Sequence, residues 1–421
     1  MAEYKKRIVH NFISLSFVQG LSMLFPLITF PYLLRVLGVE SFGVFTLIQT
    51  VVLYFDLLIS FGFGLTATKY ITRSINDIEK TREVITAVYI IKLLLFAFTM
   101  LVFLGSSIFI PYLRHNFLLV LISFIYLMGN LLFPDWYFQG IQKMRSIAVV
   151  AFLSKSVGLV LIILLVRNSN DIAYALLAVS AGNFISGLVG FMILRRSVSV
   201  KIKIPKKIFI VSLFKESGYV FTSIILAPFY SSVNLFILQI FSNPLMVGYY
   251  AVSEKIFSAI GMLTSIANRT FYPHLSLLYS TSLQAYKQNI KKILTLFFIA
   301  FVILAGLQFF TAGYIIKLVS GTKAIPDITY SVVILQILSI GQLFSPYASF
   351  FFQILIIQGQ KKEAIRNITA AVFINLLSAG FFAYFYGGKG MAINLCMIVF
   401  FIGLLNFIAF NKKLTSLSIP S

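Results

Sequence analysis

Long apolar runs dominate this sequence, and a helix needs about 20 such residues to cross the ~30 Å hydrocarbon core of a membrane. Twelve such runs can be marked along the 421 residues, several of them long enough to cross at a tilt. The polar segments between them are too short to fold as a soluble domain. The pattern predicts an all-α integral membrane protein with twelve transmembrane helices. The runs cover residues 8–34, 42–67, 84–109, 117–138, 147–166, 172–194, 211–241, 246–271, 293–316, 328–357, 368–386 and 391–410.

The composition agrees with a membrane location, since 59% of the residues are hydrophobic and only 11% are charged. A soluble chain carries roughly 25% charged residues. The formal net charge is +22, but nucleic-acid binding is excluded because it needs a solvated basic domain. The sequence has no phosphate-binding P-loop, which excludes ATP hydrolysis by this chain. The three histidines show no ligand spacing, and we expect no metal and no cofactor.

Lysine and arginine are distributed unevenly between alternate loops. Twenty-five of them lie on the side that holds both termini and the central basic segment, and six lie on the other side. Loops rich in these residues stay in the cytoplasm. We therefore predict that both termini are cytoplasmic. The six residues on the opposite side are Arg35, Arg114, Arg167, Lys317, Lys323 and Lys389.

A basic segment near the middle of the chain divides the twelve runs six and six. We expect an N-terminal six-helix bundle at residues 1–196, a basic cytoplasmic linker at 197–210 and a C-terminal six-helix bundle at 211–421. Residues 34–45 are weakly echoed by residues 238–250, which supports two related halves. Parallel repeats of this kind place the binding site in a central cavity between the two bundles.

Residues 25–43 combine two prolines, one arginine and two glycines at the junction of the first two runs. Pro26 and Pro31 are either tolerated kinks, whose freed carbonyls find other partners, or a hinge in a chain that changes shape. Arg35 is either a snorkelling side chain or a ligand for an anion. Its location on the side that is poor in basic residues favours contact with a cargo over snorkelling.

Charged residues rarely interrupt the apolar runs, and those that do usually face a cavity or one another. One interpretation is that they only pair, as Asp56 with Lys92 or Glu254 with a lysine, to hold helices together. The other interpretation is that they belong to a binding site. Those within the runs are Asp56, Lys92, Lys155, Glu254 and Lys255, and those nearer the ends are Asp135 and Arg269.

Other polar or small residues receive structural interpretations. Trp136, near the predicted cytoplasmic end of the fourth run, is expected to be an interfacial tryptophan rather than a platform for a sugar. The Gln-Gly pairs at 139–140 and 358–359 are expected to end helices. A stripe of small residues in the sixth run is expected to pack helices closely. The stripe consists of Gly182, Ser186, Gly187 and Gly190.

Four segments carry a recognisable pattern: TFPYLLRVLG at 29–38, FGVF at 42–45, GFGLTATKYI at 62–71 and FPDWYFQGIQKM at 133–144. With the twelve runs, they make the chain resemble the O-antigen flippases of the polysaccharide transporter family. That family lies in the superfamily that also holds the multidrug and toxin extrusion transporters and the lipid II flippase. The resemblance implies flipping of undecaprenyl-pyrophosphate-linked O-antigen oligosaccharide units. The units would move from the cytoplasmic to the periplasmic leaflet of the bacterial inner membrane by alternating access.

The resemblance also implies partners, namely the lipid-linked oligosaccharide, membrane lipids, and an O-antigen polymerase with a chain-length regulator. Two alternatives stay open: an ion-coupled multidrug exporter of the same superfamily, and a flippase for another cell-surface polysaccharide precursor. An exporter of cationic drugs would need an acidic cavity, whereas the apolar runs of this sequence contain few acidic residues. The predicted periplasmic loops are too short and uncharged for a polymerase or ligase. We therefore expect a transporter and not an enzyme.

A pyrophosphate cargo needs cations in the cavity wall, because burying an unpaired charge away from water is costly. We therefore expect the basic residues in or near the runs to form an anion-binding surface. These residues are Arg35, Lys92, Lys155, Lys255 and Arg269. A second hypothesis is that Asp56 or Glu254 binds a proton or Na⁺ that drives the transport cycle.

Overall fold

The computed structural model describes residues 2–198, 203–229, 232–321 and 326–418 of the chain. Within these ranges it describes every side chain except those of residues 2–24, 223, 227–229, 269 and 413–418. The regular structure of the described ranges is helical throughout, in fifteen helices. In hydrocarbon, backbone polar groups need partners within the protein, and long helices supply them internally. The predicted all-α class is confirmed.

Nine helical stretches among the described residues are long and apolar enough to cross a membrane. Seven of them are 20–38 residues long, and the other two, at residues 25–73 and 361–412, are 49 and 52 residues long. One crossing takes about 20 residues. The chain is therefore a multi-pass membrane protein.

Contacts divide the chain into two compact units. The first unit consists of the chain as far as Gly38 together with Phe45–Ile225, and the second consists of Val39–Val44 together with Leu226–Ser421. Most of the helix that follows the basic linker thus belongs to the first unit. The expected division into six-helix bundles at residues 1–196 and 211–421 with a linker at 197–210 stays a prediction.

The first unit holds nine helices, the last of which continues into the second unit. α1 runs through Pro26 and Pro31 and is interrupted at Gly38, where φ is 77° and ψ is 167°. That conformation favours glycine because it has no Cβ to clash. The hinge role of the prolines stays a prediction. The nine helices are α1 (Ala2–Ser60), α2 (Phe63–Arg73), α3 (Ile78–Phe109), α4 (Pro111–His115), α5 (Phe117–Leu132), α6 (Asp135–Gly140), α7 (Met144–Leu165), α8 (Ile172–Val198) and α9 (Lys207–Phe229).

Small residues let α8 pack closely against α5 and α7. A Cβ atom added to Gly187 would overlap the carbonyl oxygen of Gly129 on α5, and one added to Gly182 would overlap that of Ser154 on α7. All four residues of the predicted stripe are buried. The expected role of the stripe in close helix packing is confirmed.

Trp136 lies in the core of the first unit. The side chain is fully buried, and its ring centroid lies 6.2 Å from that of Tyr89 in an edge-on arrangement. The short helix α6 packs against α2, where Thr68 Oγ1 donates to the Trp136 carbonyl oxygen at 3.1 Å. This packing turns the indole inward. The expectation of an interfacial tryptophan is therefore wrong.

Polar contacts join α9 to α2. Lys69 Nζ donates to Glu216 Oε1 at 2.6 Å, and Tyr70 Oη donates to Glu216 Oε2 at 2.9 Å. The hydroxyl oxygens of Thr66 and Ser217 lie 2.7 Å apart in a buried position. These contacts explain why the helix after the linker belongs to the first unit.

The second unit contains six further helices. Gly140 is the last residue of α6, and Gln358 directly follows α14, which confirms that both Gln-Gly pairs end helices. The last helix is interrupted at Gly387, where φ is 56°. The six helices are α10 (Val233–Phe241), α11 (Pro244–Thr281), α12 (Leu283–Ser320), α13 (Ile328–Gly341), α14 (Ser345–Ile357) and α15 (Lys361–Ser418).

The segment Val39–Val44 packs against the beginning of α11. A Cβ atom added to Gly248 would overlap the carbonyl oxygen of Val39, and one added to Gly43 would lie 2.7 Å from the Gly248 nitrogen. Both glycines are needed for this approach. They also belong to the two stretches whose sequences echo each other, so the echoed segments touch directly.

We expect Gly187→Ala to lower the stability of the folded protein by about 1–3 kcal/mol, because the added methyl group overlaps a helix backbone that cannot easily move. The measurement is the thermal unfolding midpoint of the detergent-purified protein, together with its amount in membranes. Gly105→Ala on α3 is the matched control, since nothing lies within 4 Å of the added Cβ. Equal midpoints for the two variants would contradict this account of the packing.

Candidate functional site

The polar site of the first unit begins where α5 ends. Pro134 follows α5 and has no backbone N–H, so it cannot bond the carbonyl oxygen of Asn130 four residues earlier. The helix stops at Leu132 and resumes as α6 at Asp135. The break leaves carbonyl oxygens without helical partners inside an apolar bundle, where each needs another donor.

Side chains of α3 supply those donors. Lys92 Nζ donates to the carbonyl oxygen of Asn130 at 2.8 Å, and Tyr89 Oη donates to that of Leu132 at 2.9 Å. Lys92 is only 2% exposed. A cation is favoured at the C-terminal end of a helix, where the backbone dipoles are negative. Lys92 therefore caps the C-terminal end of α5.

The side chain of Asn130 links this lysine to a carboxylate. Its Oδ1 lies 3.5 Å from Lys92 Nζ, and its Nδ2 donates to the carboxylate of Asp56 and, at 3.4 Å, to Ser60 Oγ. Asp135 is the first residue of α6 and directly follows the break. The structure thus brings Asp56 and Lys92 together, and an asparagine lies between them. We call Asp56, Lys92, Asn130 and Asp135 the α5-end cluster.

Arg35 and Lys155 lie on two helices of the first unit that contact each other. The rings of Phe25 on α1 and Phe152 on α7 lie 5.5 Å apart, and Tyr32 Oη donates to the Val166 carbonyl oxygen at 2.8 Å. Both basic side chains are exposed on the first unit. These two cations therefore lie on the surface, whereas Lys92 lies in the interior.

The remaining predicted residues lie on α11 in the second unit. Glu254 is half-buried and accepts a hydrogen bond from Ser258 Oγ at 2.5 Å, while Lys255 is exposed. The side chain of Arg269 lies outside the described residues. Among the described side chains, no group of three or more histidine, cysteine or carboxylate residues is placed to hold a metal ion.

Three asparagines in the second unit are joined by hydrogen bonds into an uncharged series, which we call the asparagine chain. The sequence does not predict it. Ser378 Oγ donates to Asn394 Oδ1 at 2.6 Å, Asn394 Nδ2 to Asn375 Oδ1 at 2.7 Å, and Asn375 Nδ2 to Asn234 Oδ1 at 3.0 Å. The three asparagines are fully buried. This series of hydrogen bonds ends at Asn234, whose side chain lies beside the buried Tyr250.

The fold is shared with transporters of known structure. It superposes on the inward-facing conformation of a multidrug resistance MATE family transporter of the MOP superfamily with a TM-score of 0.75 and 15% identity, covering 97% of this chain and 98% of that one. It superposes on the lipid II flippase MurJ with a TM-score of 0.74 and 15% identity, covering 95% and 87%. The fold is therefore that of the transporters and flippases of this superfamily.

Sequence comparison defines the family. A profile described as "Polysaccharide biosynthesis protein" matches residues 8–279. A putative O-antigen transporter of Shigella dysenteriae is 31% identical over 397 residues, covering 91% of this chain and 95% of that protein. Another, from Escherichia coli strain K12, is 29% identical over 371 residues, covering 87% and 88%. The chain belongs to the polysaccharide biosynthesis protein family.

The predicted class is confirmed by these relatives. The curated relatives are putative O-antigen transporters, so this chain is a membrane transporter and not an enzyme. The resemblance to O-antigen flippases is confirmed as well.

We expect Asn130→Leu to destabilise the first unit by roughly 3 kcal/mol or more, because it leaves Asp56 without its donor inside the bundle. The measurement is the thermal unfolding midpoint in detergent. Tyr89→Phe is the control, since it removes one hydrogen bond to the same helix end and should cost only about 1 kcal/mol. A midpoint for Asn130→Leu at or above that of Tyr89→Phe would show that the amide does not hold the cluster together.

Proposed function

We propose that this protein flips undecaprenyl-pyrophosphate-linked O-antigen oligosaccharide units from the cytoplasmic to the periplasmic leaflet of the bacterial inner membrane. The observation that carries the proposal is the 31% identity to a putative O-antigen transporter over nearly the whole of both chains. The flippase fold supports it. Neither a hydrated oligosaccharide nor a pyrophosphate crosses hydrocarbon unaided, because losing water from an unpaired charge is costly.

Twelve crossings, arranged as two six-helix bundles around a central cavity, with both termini cytoplasmic, are part of the proposal. The helices α1 and α15, of 59 and 58 residues, each suffice for two crossings, and each is broken at a glycine. The 38 residues of α11 suffice for one more. Alternating access then follows the general behaviour of transporters built from repeats.

The exposed cations are proposed to bind the pyrophosphate of the cargo. Arg35 and Lys155 lie on contacting helices, and Lys255 is exposed on α11. Exposed basic side chains form charge-assisted hydrogen bonds with phosphate oxygens, which a pyrophosphate presents. Arg269 belongs to the same proposal by its place on α11. Lys92 is the interior member of the predicted set, with its amine bonded to Asn130.

Ion coupling through Asp56 or Glu254, with H⁺ or Na⁺, is the second part of the proposal. Asp56 is supported by its place in the α5-end cluster, and Glu254 by its place on an apolar helix close to the asparagine chain. We also propose that the protein works together with an O-antigen polymerase and a chain-length regulator. Transport that is unchanged in both Asp56→Asn and Glu254→Gln would contradict the coupling role.

The function is tested by complementation of a strain that lacks its own O-antigen flippase, with surface polysaccharide as the readout. Restored O-antigen supports the proposal. No O-antigen but increased resistance to cationic drugs would favour the multidrug-exporter alternative. Restoration of another surface polysaccharide alone would favour a flippase for that precursor.

In the same assay we expect alanine at Arg35, Lys155 or Lys255 to reduce surface O-antigen several-fold at unchanged protein level, because each variant removes a charge available to the pyrophosphate. Lys291→Ala is the control, since Lys291 is an exposed lysine near the start of α12 on the predicted cytoplasmic side. Normal export by all three variants would rule out the cationic binding surface.

A further inference from the structure

One carboxylate of α9 is held by two adjacent donors on α2. Lys69 Nζ donates to Glu216 Oε1 at 2.6 Å, and Tyr70 Oη donates to Glu216 Oε2 at 2.9 Å. Each carboxylate oxygen therefore has its own donor. An ammonium and a phenol placed side by side can bind any anion that presents two oxygens in the same way, and a phosphate group does so.

The donors on α2 belong to a face that carries more positive charge than Glu216 neutralises. Arg73 lies four residues after Lys69, in the last turn of α2, so both side chains lie on the same face of that helix. Both are exposed. One carboxylate thus stands against two cations. A phosphate or pyrophosphate group carries about two negative charges near pH 7 and matches this face better than a carboxylate does.

The contact of Glu216 with α2 is open to solvent. The side chains of Lys69 and Glu216 are 45% and 33% exposed. Ion pairs with this exposure contribute little to stability, because water and salt screen them and two long side chains must be ordered. An incoming phosphate group therefore competes with a weak internal ligand and not with a sealed salt bridge.

Other contacts hold α9 on α2 without the carboxylate. The hydroxyl oxygens of Thr66 and Ser217 lie 2.7 Å apart in a buried position. The ring of Phe61, just before α2, stacks on two rings of α9, those of Phe214 at 4.8 Å and Phe221 at 5.1 Å. The packing of the two helices thus has its own buried contacts, and the carboxylate can be displaced while the helices stay together.

We propose that Lys69, Tyr70 and Arg73 form a pyrophosphate-binding site on α2, and that Glu216 is the internal anion that holds this site until a pyrophosphate displaces it. The pyrophosphate takes over the two hydrogen bonds of the carboxylate. The proposed function supplies the identity of the pyrophosphate as part of the cargo. The site adds a contact on the predicted cytoplasmic side, where the cargo enters.

The test is binding of inorganic pyrophosphate to the detergent-purified full chain, measured by titration calorimetry at low ionic strength. We expect Glu216→Gln to bind about five-fold more tightly than the wild-type protein, because the internal competitor has lost its charge. This gain should vanish when Lys69→Gln is added, since Glu216 then has no site to vacate. The comparison is therefore insensitive to pyrophosphate bound elsewhere on the chain. Glu216→Ala serves in its place if Glu216→Gln does not fold.

Asp77→Asn is the matched control. It removes the charge of another exposed carboxylate, which lies 3.0 Å from the amine of Lys80, and asparagine keeps the role of Asp77 as the N-cap of α3. We expect it to leave the affinity for pyrophosphate unchanged. An equal gain in Asp77→Asn and Glu216→Gln would overturn the proposal, because it would reflect net charge alone. So would the absence of a gain in Glu216→Gln, or a gain that survives Lys69→Gln.

Phosphatidylglycerol in mixed micelles is the second probe. If it binds in a manner that depends on Lys69 while pyrophosphate does not bind, the site is one for phospholipid headgroups and the proposal is overturned. Because the readout is binding of inorganic pyrophosphate, failure of complementation would leave this result unaffected.

Discussion

Every backbone carbonyl freed inside hydrocarbon must find a donor, and the first unit depends on how this is done where Pro134 ends α5. The donors come from Lys92 and Tyr89 on the neighbouring helix. The side chain of Asn130 then links this lysine to the carboxylate of Asp56. The proline, the buried lysine and the carboxylate are thus connected within one bundle.

In the second unit, three buried polar side chains bond one another without charge. These are the asparagines that bond in sequence from Asn394 through Asn375 to Asn234. Amides donate and accept at once, so such a chain needs no counter-ion and avoids the cost of desolvating a charge. The two units therefore differ in how their buried polar groups are satisfied, although their sequences contain related segments.

The sequence predicts the helical membrane class, the glycine stripe on α8 and the charged residues of the α5-end cluster, because these depend on local patterns of apolar, small and charged residues. It does not predict Asn130 or the asparagine chain, since one amide in an apolar run has no distinctive local signal. The position of Asn130 four residues before Pro134 was the available clue. Trp136 was misjudged because its burial depends on the packing of α6 against α2.

Each unit contains a segment from the other half of the sequence, and this affects how the protein folds during synthesis. Val39–Val44 belongs to the unit formed mostly by the C-terminal half, and α9 as far as Ile225 belongs to the unit formed by the N-terminal half. During synthesis, residues 39–44 emerge about two hundred residues before the start of α11 against which they pack. A cut in the basic linker would place α9 and its partners on α2 in different fragments. The halves of the sequence are therefore not independent folding pieces.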